Sequence, residues 1–469
     1  MNVKEFNSKK VFSEVSGVTS LVENKIKIKM NDKGLYEEVI GDTEDTEDTE
    51  LSLIVEKVSP YLNKDINENV ISNKLYSNQE GCLYDKRIGY YISLYAGHVL
   101  EGDYRRNASS GGVGTWILKE LLENNYIDGV IHVKEKNDSD SSILFEYQIS
   151  KSIKEIKEGA KTKYYPVELS KVLEVVKENA GKYAIVGIPS FIKAVRLLCQ
   201  EEPIFNDRII FTVGLICGHQ KSTKFADFMG WQVGIQPGDM KNIDFRYKLD
   251  DFPADKYAIK MTGLINGEMK TVIVPKNKLH GQNWGLGYFK PIASDFTDDV
   301  FNETADIVIG DAWLPEYSKD SLGNNIVIVR NNVIHKIIQN AIKDKRVNFQ
   351  SIDTNKIFQS QAAHYRHTHD ELSYRLFKLN KKGKWYPHLR VKPENNISFL
   401  RGLVQDMRIK IASKSHSYYE EAVKMNDIDY FISNMEKINR KYKILYTCMA
   451  IQNKGIKGLV KYLINKIVK

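Results

Sequence analysis

Between Gly89 and Ile342 short apolar runs alternate with amphipathic stretches, and this alternation restricts the fold more than any other feature of the chain. Strand-like runs fall at Tyr90 to Tyr95, Val130 to Val133, Tyr183 to Gly187, Ile209 to Cys217, Ile307 to Ile309 and Ile326 to Val329. Helical patterns lie between or after them. They place Val113, Trp116, Ile117 and Leu121 on one face, run from Leu169 to Asn179 and from Phe191 to Gln200, and align Ile334, Ile337, Ile338, Ala341 and Ile342. Strands alternating with helices predict an α/β fold, a mainly parallel or mixed sheet flanked by helices.

At 469 residues the chain exceeds one ordinary core. Three parts are expected: a charged leader over 1–80, an α/β domain over 81–345, and a helix-rich C-terminal region over 346–469. In the leader, the acidic repeat Asp42 to Glu50 reads as a solvated loop, because like charges repel and nothing apolar is there to bury. At the other end, Ile456, Leu459, Val460, Leu463, Ile464 and Ile467 form a stripe among lysines. Such a stripe packs on its own core or rests on a membrane surface or partner, and the first is favoured. No apolar run is long enough to span a membrane, and the first residues lack the apolar core of a signal peptide, so a cytoplasmic location is expected.

Net charge is +8, yet basic and acidic residues interleave over most of the chain. No helix-turn-helix, zinc-finger or RNA-binding signature accompanies the charge, so nucleic acid is not expected as a partner. An anionic small molecule fits the balance. The four cysteines, Cys82, Cys199, Cys217 and Cys448, include no C-x-x-C pair, which argues against a disulfide framework or a tetrathiolate metal site.

Several local patterns could carry chemistry. The turn Asn107-Ala108-Ser109-Ser110-Gly111-Gly112 precedes a helix, where backbone N–H groups, hydroxyls and the helix dipole favour a phosphate; a plain N-cap turn explains the same residues. His219 and Lys221 follow the strand that ends at Cys217, the end at which α/β sheets hold ligands. His219 is the candidate for proton transfer near neutrality and Lys221 for an anionic group, while Cys217 reads as a buried thiol. Arg246 and Lys248 alternate on an extended segment and would face one side to grip one anion. Asp311 and Trp313 close the strand that follows Asp306, placed for a sugar hydroxyl and a stacked ring or for simple strand capping. His364, His367, His369 and Asp370 have metal-ligand chemistry but no established spacing. Their neighbours Tyr365, Arg366 and Glu371 suit an exposed helix, and an anion contact by Arg366 and His367 is favoured.

Taken together, these blocks resemble the coenzyme F420 hydrogenase/dehydrogenase beta-subunit family. The resemblance rests on Arg106 to Gly112 (R-x-x-S-S-G-G), Lys161 to Tyr164, Val186 to Ser190 (G-x-P followed by the family's cysteine position), Gly214 to Ser222, Phe245 to Lys248, and Ser294 to Tyr317. In the last stretch a C-x-x-C-D-D segment reads Ser294 and Thr297 at the cysteines, ahead of A-D-I-V-I-G-D-A-W. Ser190 stands at another cysteine position. The leader is similar to a degenerate ferredoxin-like module, with Val15, Val18, Leu21 and Ser59-Pro60 where ligands would be. A hydroxyl does not replace a thiolate on iron.

The resemblance implies a flavoprotein binding FAD or FMN without iron-sulfur clusters and without another metal, of the type associated with bacterial surface polysaccharide. It assigns flavin contacts to Asn107, Ser109, Ser110, Gly111, Gly112, Lys163, Tyr164, Pro189, Lys221, Arg246, Lys248, Asp311 and Trp313. The expected activity is oxidation or reduction of a sugar or nucleotide-sugar, with a soluble reductant in place of clusters. A redox-neutral flavin-dependent isomerase or epimerase is the first alternative. A non-catalytic binding or scaffold descendant is the second, and flavin absorbance separates it from the others.

Overall fold

The computed structural model describes residues 1–40, 47–136, 143–250 and 252–467, with side chains described through Gln452. The leader begins with the helix Val3–Lys9, capped by the Asn2 side chain. A hairpin follows, β1 (Ile26–Met30) with β2 (Tyr36–Ile40), in which buried Ile26 alternates with exposed Lys27 and Lys29 at the strand period of two. Within the acidic repeat, Asp42 to Thr46 lie outside the described residues. The rest is not a free loop: the Glu47 and Thr49 carbonyls accept the N–H groups of Lys4 and Val3, and Glu50 bridges to Asn2.

The run Tyr90 to Tyr95 is two strands rather than one. β3 (Leu83–Asp85) pairs with β4 (Gly89–Tyr91), and the chain then bends at Ile92 to enter the main sheet as β5 (Ser93–Val99). The cause is Arg330, fully buried, whose guanidinium takes the carbonyls of Ile88 and Tyr90 together with those of Phe301, Asn302 and Ala305. Carbonyls bound to a guanidinium are withdrawn from a ladder.

Next come β6 (Gly129–Glu135), β7 (Phe145–Ser150), β8 (Tyr183–Gly187) and β9 (Ile209–Leu215). A separate antiparallel sheet follows, formed by β10 (Met240–Tyr247), β11 (Ala258–Ile265) and β12 (Glu268–Pro275). β13 (Ile307–Asp311), β14 (Asn325–Val329) and β15 (Val347–Ser351) return to the main sheet, whose order is β15-β5-β14-β13-β9-β8-β6-β7. Its centre, β13, β9, β8 and β6, is parallel, and the outer pairings are antiparallel. The fold is thus α/β with a mixed sheet.

Two cores lie on the two faces of this sheet. On β14, Ile326 and Ile328 join one core while Val327 and Val329 join the other, which is why that strand is apolar at every other position of both registers. The helices Ser170–Glu178 and Pro189–Glu201, with Val18 and Val58 of the leader, cover the first face. Val113–Glu123 and Asn332–Lys343 cover the second. A further core joins the three-stranded sheet to the helix Thr223–Trp231 and to the C-terminal helices Phe399–Met425 and Ile428–Ile467, which turn back at Asn426 in the left-handed region. Phe289 and Phe431 stack there at 5.6 Å. The backbone over the apolar C-terminal stripe is helical to Ile467; the stripe's side chains from 453 onward lie outside the described residues. Among the described residues no helix is long and apolar enough to cross a membrane.

Candidate functional site

At the C-terminal ends of β8, β9 and β13 the molecule holds a cavity of about 1000 Å³. This is the end where open α/β sheets place ligands. The turn before the helix Val113–Glu123 forms one wall through Ser109, Ser110 and Gly112. Gly112 takes φ +86°, and a Cβ on it would come within 2.7 Å of the Arg105 nitrogen. Gly111 does not face the cavity: a Cβ there would meet the Gly97 carbonyl at 2.7 Å and the Asn325 side chain at 2.8 Å, so this glycine lets the turn seat against β5 and β14. Ser110 donates its hydroxyl to the Asn324 carbonyl, and the Ser109 hydroxyl accepts the Thr162 N–H.

Besides Gly111, three of the expected contacts fall outside the cavity wall. Asn107 is exposed and donates to Asp103. Pro189 occupies the first turn of its helix, where its fixed φ and missing N–H suit it, and faces a different, smaller void. Lys248 does not share a face with Arg246, because the register of β10 against β11 shifts between Asp244 and Tyr247 and breaks the alternation. Its ammonium donates instead to the carbonyls of Arg105, Ser110 and Leu322 and pins the turn from behind. Burial, then Arg105 and Arg246, lower its pKa to about 7.

The remaining expected residues converge on the cavity, whose described lining carries eight lysine and arginine side chains and one carboxylate, Asp311. Arg246 donates to Asp311 at 2.6 Å and lies over the rings of Tyr257 and Trp313, while its Nε has no hydrogen-bond partner among the described residues. Lys163 donates to the carbonyls of Gly159, Ala160 and Lys161, and burial lowers its pKa to about 8. Lys221, 1% exposed, donates to the Tyr288 carbonyl at 2.6 Å and sits over the rings of Trp284 and Phe225. Burial and then Lys290 push its pKa well below the ordinary lysine value. Neither Lys163 nor Lys221 pairs with a carboxylate among the described residues. Tyr164 packs on Trp284, as does His219, stacked at 4.4 Å.

His219 does not have the near-neutral pKa that the sequence suggests. Burial first, then the charges of Lys221 and Lys290, hold it well below the usual range, so the ring is neutral at pH 7 and its Nε2 lacks a partner among the described residues. Cys217 is a protonated thiol, pushed up to about 12 by burial and the nearby Glu14.

The His364 to Asp370 stretch is not an exposed helix. His364, Arg366 and His367 line the cavity, and Glu371 is fully buried, accepting from Arg366, His367 and Arg408 and ion-paired with Arg401. His367 also contacts Asp295 at 3.3 Å. Gln361, one helix earlier, donates to the Asp311 carbonyl. Sequence reading missed Trp284, Tyr257, Lys276, Lys290 and Arg408 as cavity residues. No local motif surrounds them, and distant segments bring them together.

The positions that correspond to cysteines in the family motifs also meet. Ser190 and Ser294 both donate to the carboxyl of Glu14, and the Ser294 hydroxyl accepts the Gln220 N–H. Burial raises the Glu14 pKa despite these bonds. Val15, Pro60, Ser190 and Thr297 share a void of about 50 Å³ beside it. Hydroxyls, a carboxyl and one thiol are the wrong donors for an iron-sulfur cluster. Among the described residues no three histidine, cysteine, aspartate or glutamate side chains are arranged to hold a metal ion.

Comparison with known proteins follows the same outline. Residues 94–174 match the family model for the N-terminal part of the coenzyme F420 hydrogenase/dehydrogenase beta subunit, and residues 180–355 match the model for the C terminus of the same subunit. An uncharacterized protein of Methanocaldococcus jannaschii is 25% identical over 263 residues, covering 52% of this chain and 68% of that protein. A chain of the F420-reducing NiFe hydrogenase complex from Methanosarcina barkeri superposes with a TM-score of 0.47 at 18% identity, over 63% of this chain and 96% of that one. The two models together span more than half of the sequence, and the chain belongs to the coenzyme F420 hydrogenase/dehydrogenase beta-subunit family.

Proposed function

We propose that this protein is a flavin-dependent oxidoreductase that acts on a sugar or nucleotide-sugar in bacterial surface polysaccharide synthesis, with FAD or FMN and without iron-sulfur clusters. The observation that carries the reading is the cavity wall: Lys221 is buried and Lys163 half-buried, each against carbonyls without a carboxylate, in a wall that also holds an arginine with an unused Nε. Buried ammonium groups are costly without a counter-charge, and a phosphate-bearing ligand supplies one. The flavin fits this donor set. Ser109, Ser110, Gly112 and Lys163 would hold its phosphate, and Tyr164 and Trp313 offer apolar faces for rings. When bound, it supplies the redox chemistry.

His219 is the residue placed to handle a proton. As a neutral ring it accepts one at Nε2, and an anionic ligand beside Lys221 and Lys290 offsets the repulsion that opposes its protonation. Electrons come from a soluble reductant, since the donor set around Glu14 does not suit a cluster.

The test is absorbance of the purified protein. A yellow protein with flavin bands and no iron is expected, and Lys163→Gln should release flavin. A protein that stays colourless after incubation with FAD or FMN overturns the reading in favour of a binding or scaffold role.

A further inference from the structure

A second group of charges borders the same cavity, built largely by residues beyond 355, where the family models stop. Two buried carboxylates, Asp295 and Glu371, serve five basic side chains, four arginines and Lys290. Lys290 and Arg375 meet Asp295; Arg366, Arg401 and Arg408 meet Glu371. The group therefore holds an excess of three positive charges, in a place where Glu371 is fully buried and Lys290 is 5% exposed. Low-dielectric surroundings make such an excess expensive unless an anion joins it.

Three of these cations face the cavity: Lys290, Arg366 and Arg408. Arg408 is fixed from behind, with its three nitrogens on Tyr442, Glu371 and Tyr446. Arg366 differs. Its Nε is held by Glu371, its two terminal nitrogens have no partner among the described residues, and its side chain is 46% exposed at the mouth. A guanidinium oriented through Nε presents the remaining edge for a bidentate contact with an oxyanion.

We propose that Lys290, Arg366 and Arg408 form a second oxyanion subsite, which takes a phosphoryl or carboxylate group carried by the substrate. The assignment to substrate rests on the reading of the cavity as a shared cofactor and substrate site. A group at the half-exposed mouth is reached by the molecule that enters and leaves each turnover, while the turn at Ser109 to Gly112 and Lys163 hold the resident one. Of the pair favoured for an anion contact, Arg366 and His367, Arg366 carries it, because His367 is already spent on Asp295 and Glu371.

The experiment uses the full chain and titrates inorganic pyrophosphate and malonate by calorimetry at low salt, with flavin absorbance read on the same samples. Wild type should bind at least one of the two, and the tighter one names the group. Arg366→Gln should weaken that binding at least tenfold with flavin content unchanged, Arg366→Lys should lose less, and Lys163→Gln should release flavin while keeping anion binding. If neither anion binds wild type, or if R366Q binds as tightly as wild type, the subsite is overturned even in a yellow protein. A colourless protein in which R366Q still loses anion binding overturns the flavin reading and leaves the subsite standing.

Discussion

Lys221 shows how one side chain separates stability from function. Its ammonium is buried over two rings with a carbonyl as its hydrogen-bond acceptor, so it costs the ligand-free protein stability while preparing the site for an anion. Lys221→Met should therefore raise ligand-free stability by on the order of 1 kcal/mol in urea unfolding and weaken retention of a phosphate-bearing ligand. A variant that loses both would show that the lysine is a structural donor to Tyr288. Asp311 works in the opposite sense: it neutralises Arg246, which is 4% exposed. Asp311→Ala should cost roughly 3 kcal/mol by stranding that guanidinium, also measured by urea unfolding. Of these residues, Lys221 and Asp311 were legible from their places at strand ends, and Arg246 from the Phe245 to Lys248 block that resembles the family. Glu14 was not, because nothing in its local sequence says that Ser190 and Ser294 will reach it from more than 170 residues away.

Elements divide the same way. The inner strands of the main sheet and the helices over them could be read, since their apolar spacing is set by the faces they bury, while the edge strands β7 and β15 were not. β10 to β12 could not, because β12 is mostly exposed and carries no clear alternation. The long C-terminal helices contribute Arg408 to the cavity and His416 to the core against Phe289. Burial lowers the His416 pKa to about 4 although the Ala412 carbonyl accepts its proton, so the unfolded chain binds a proton between about pH 6.5 and 4 that the folded chain does not. This group makes stability fall as pH drops through that window, by up to about 1.4 kcal/mol per pH unit. His416→Gln should flatten the acid side of the stability curve there, seen as a smaller loss of Tm between pH 6.5 and 4 than in wild type.

For the whole molecule, the cavity wall gathers the turn at Ser109, the ends of β8, β9 and β13, the segment around Trp284, and helices beyond residue 360. A ligand that joins these parts acts on global stability by mass action. FAD or FMN at about a hundred times its Kd should add about 2.7 kcal/mol, visible as a rise in Tm that Lys163→Gln diminishes. The sequence by itself determined the α/β class, the apolar faces of the central strands, the family, and the strand-end positions of His219, Lys221, Asp311 and Trp313, because each is written in local spacing or a contiguous block. Tertiary structure decided which charges share the cavity. Lys248 turned to the back of the turn because a bulge broke its register with Arg246, His219 became neutral because it is buried, with Lys221 and Lys290 adding their charge beside it, and Arg366 and Arg408 met across Glu371. Electrostatic environment depends on three-dimensional neighbours and on burial, and neither is encoded in the spacing of residues along the chain.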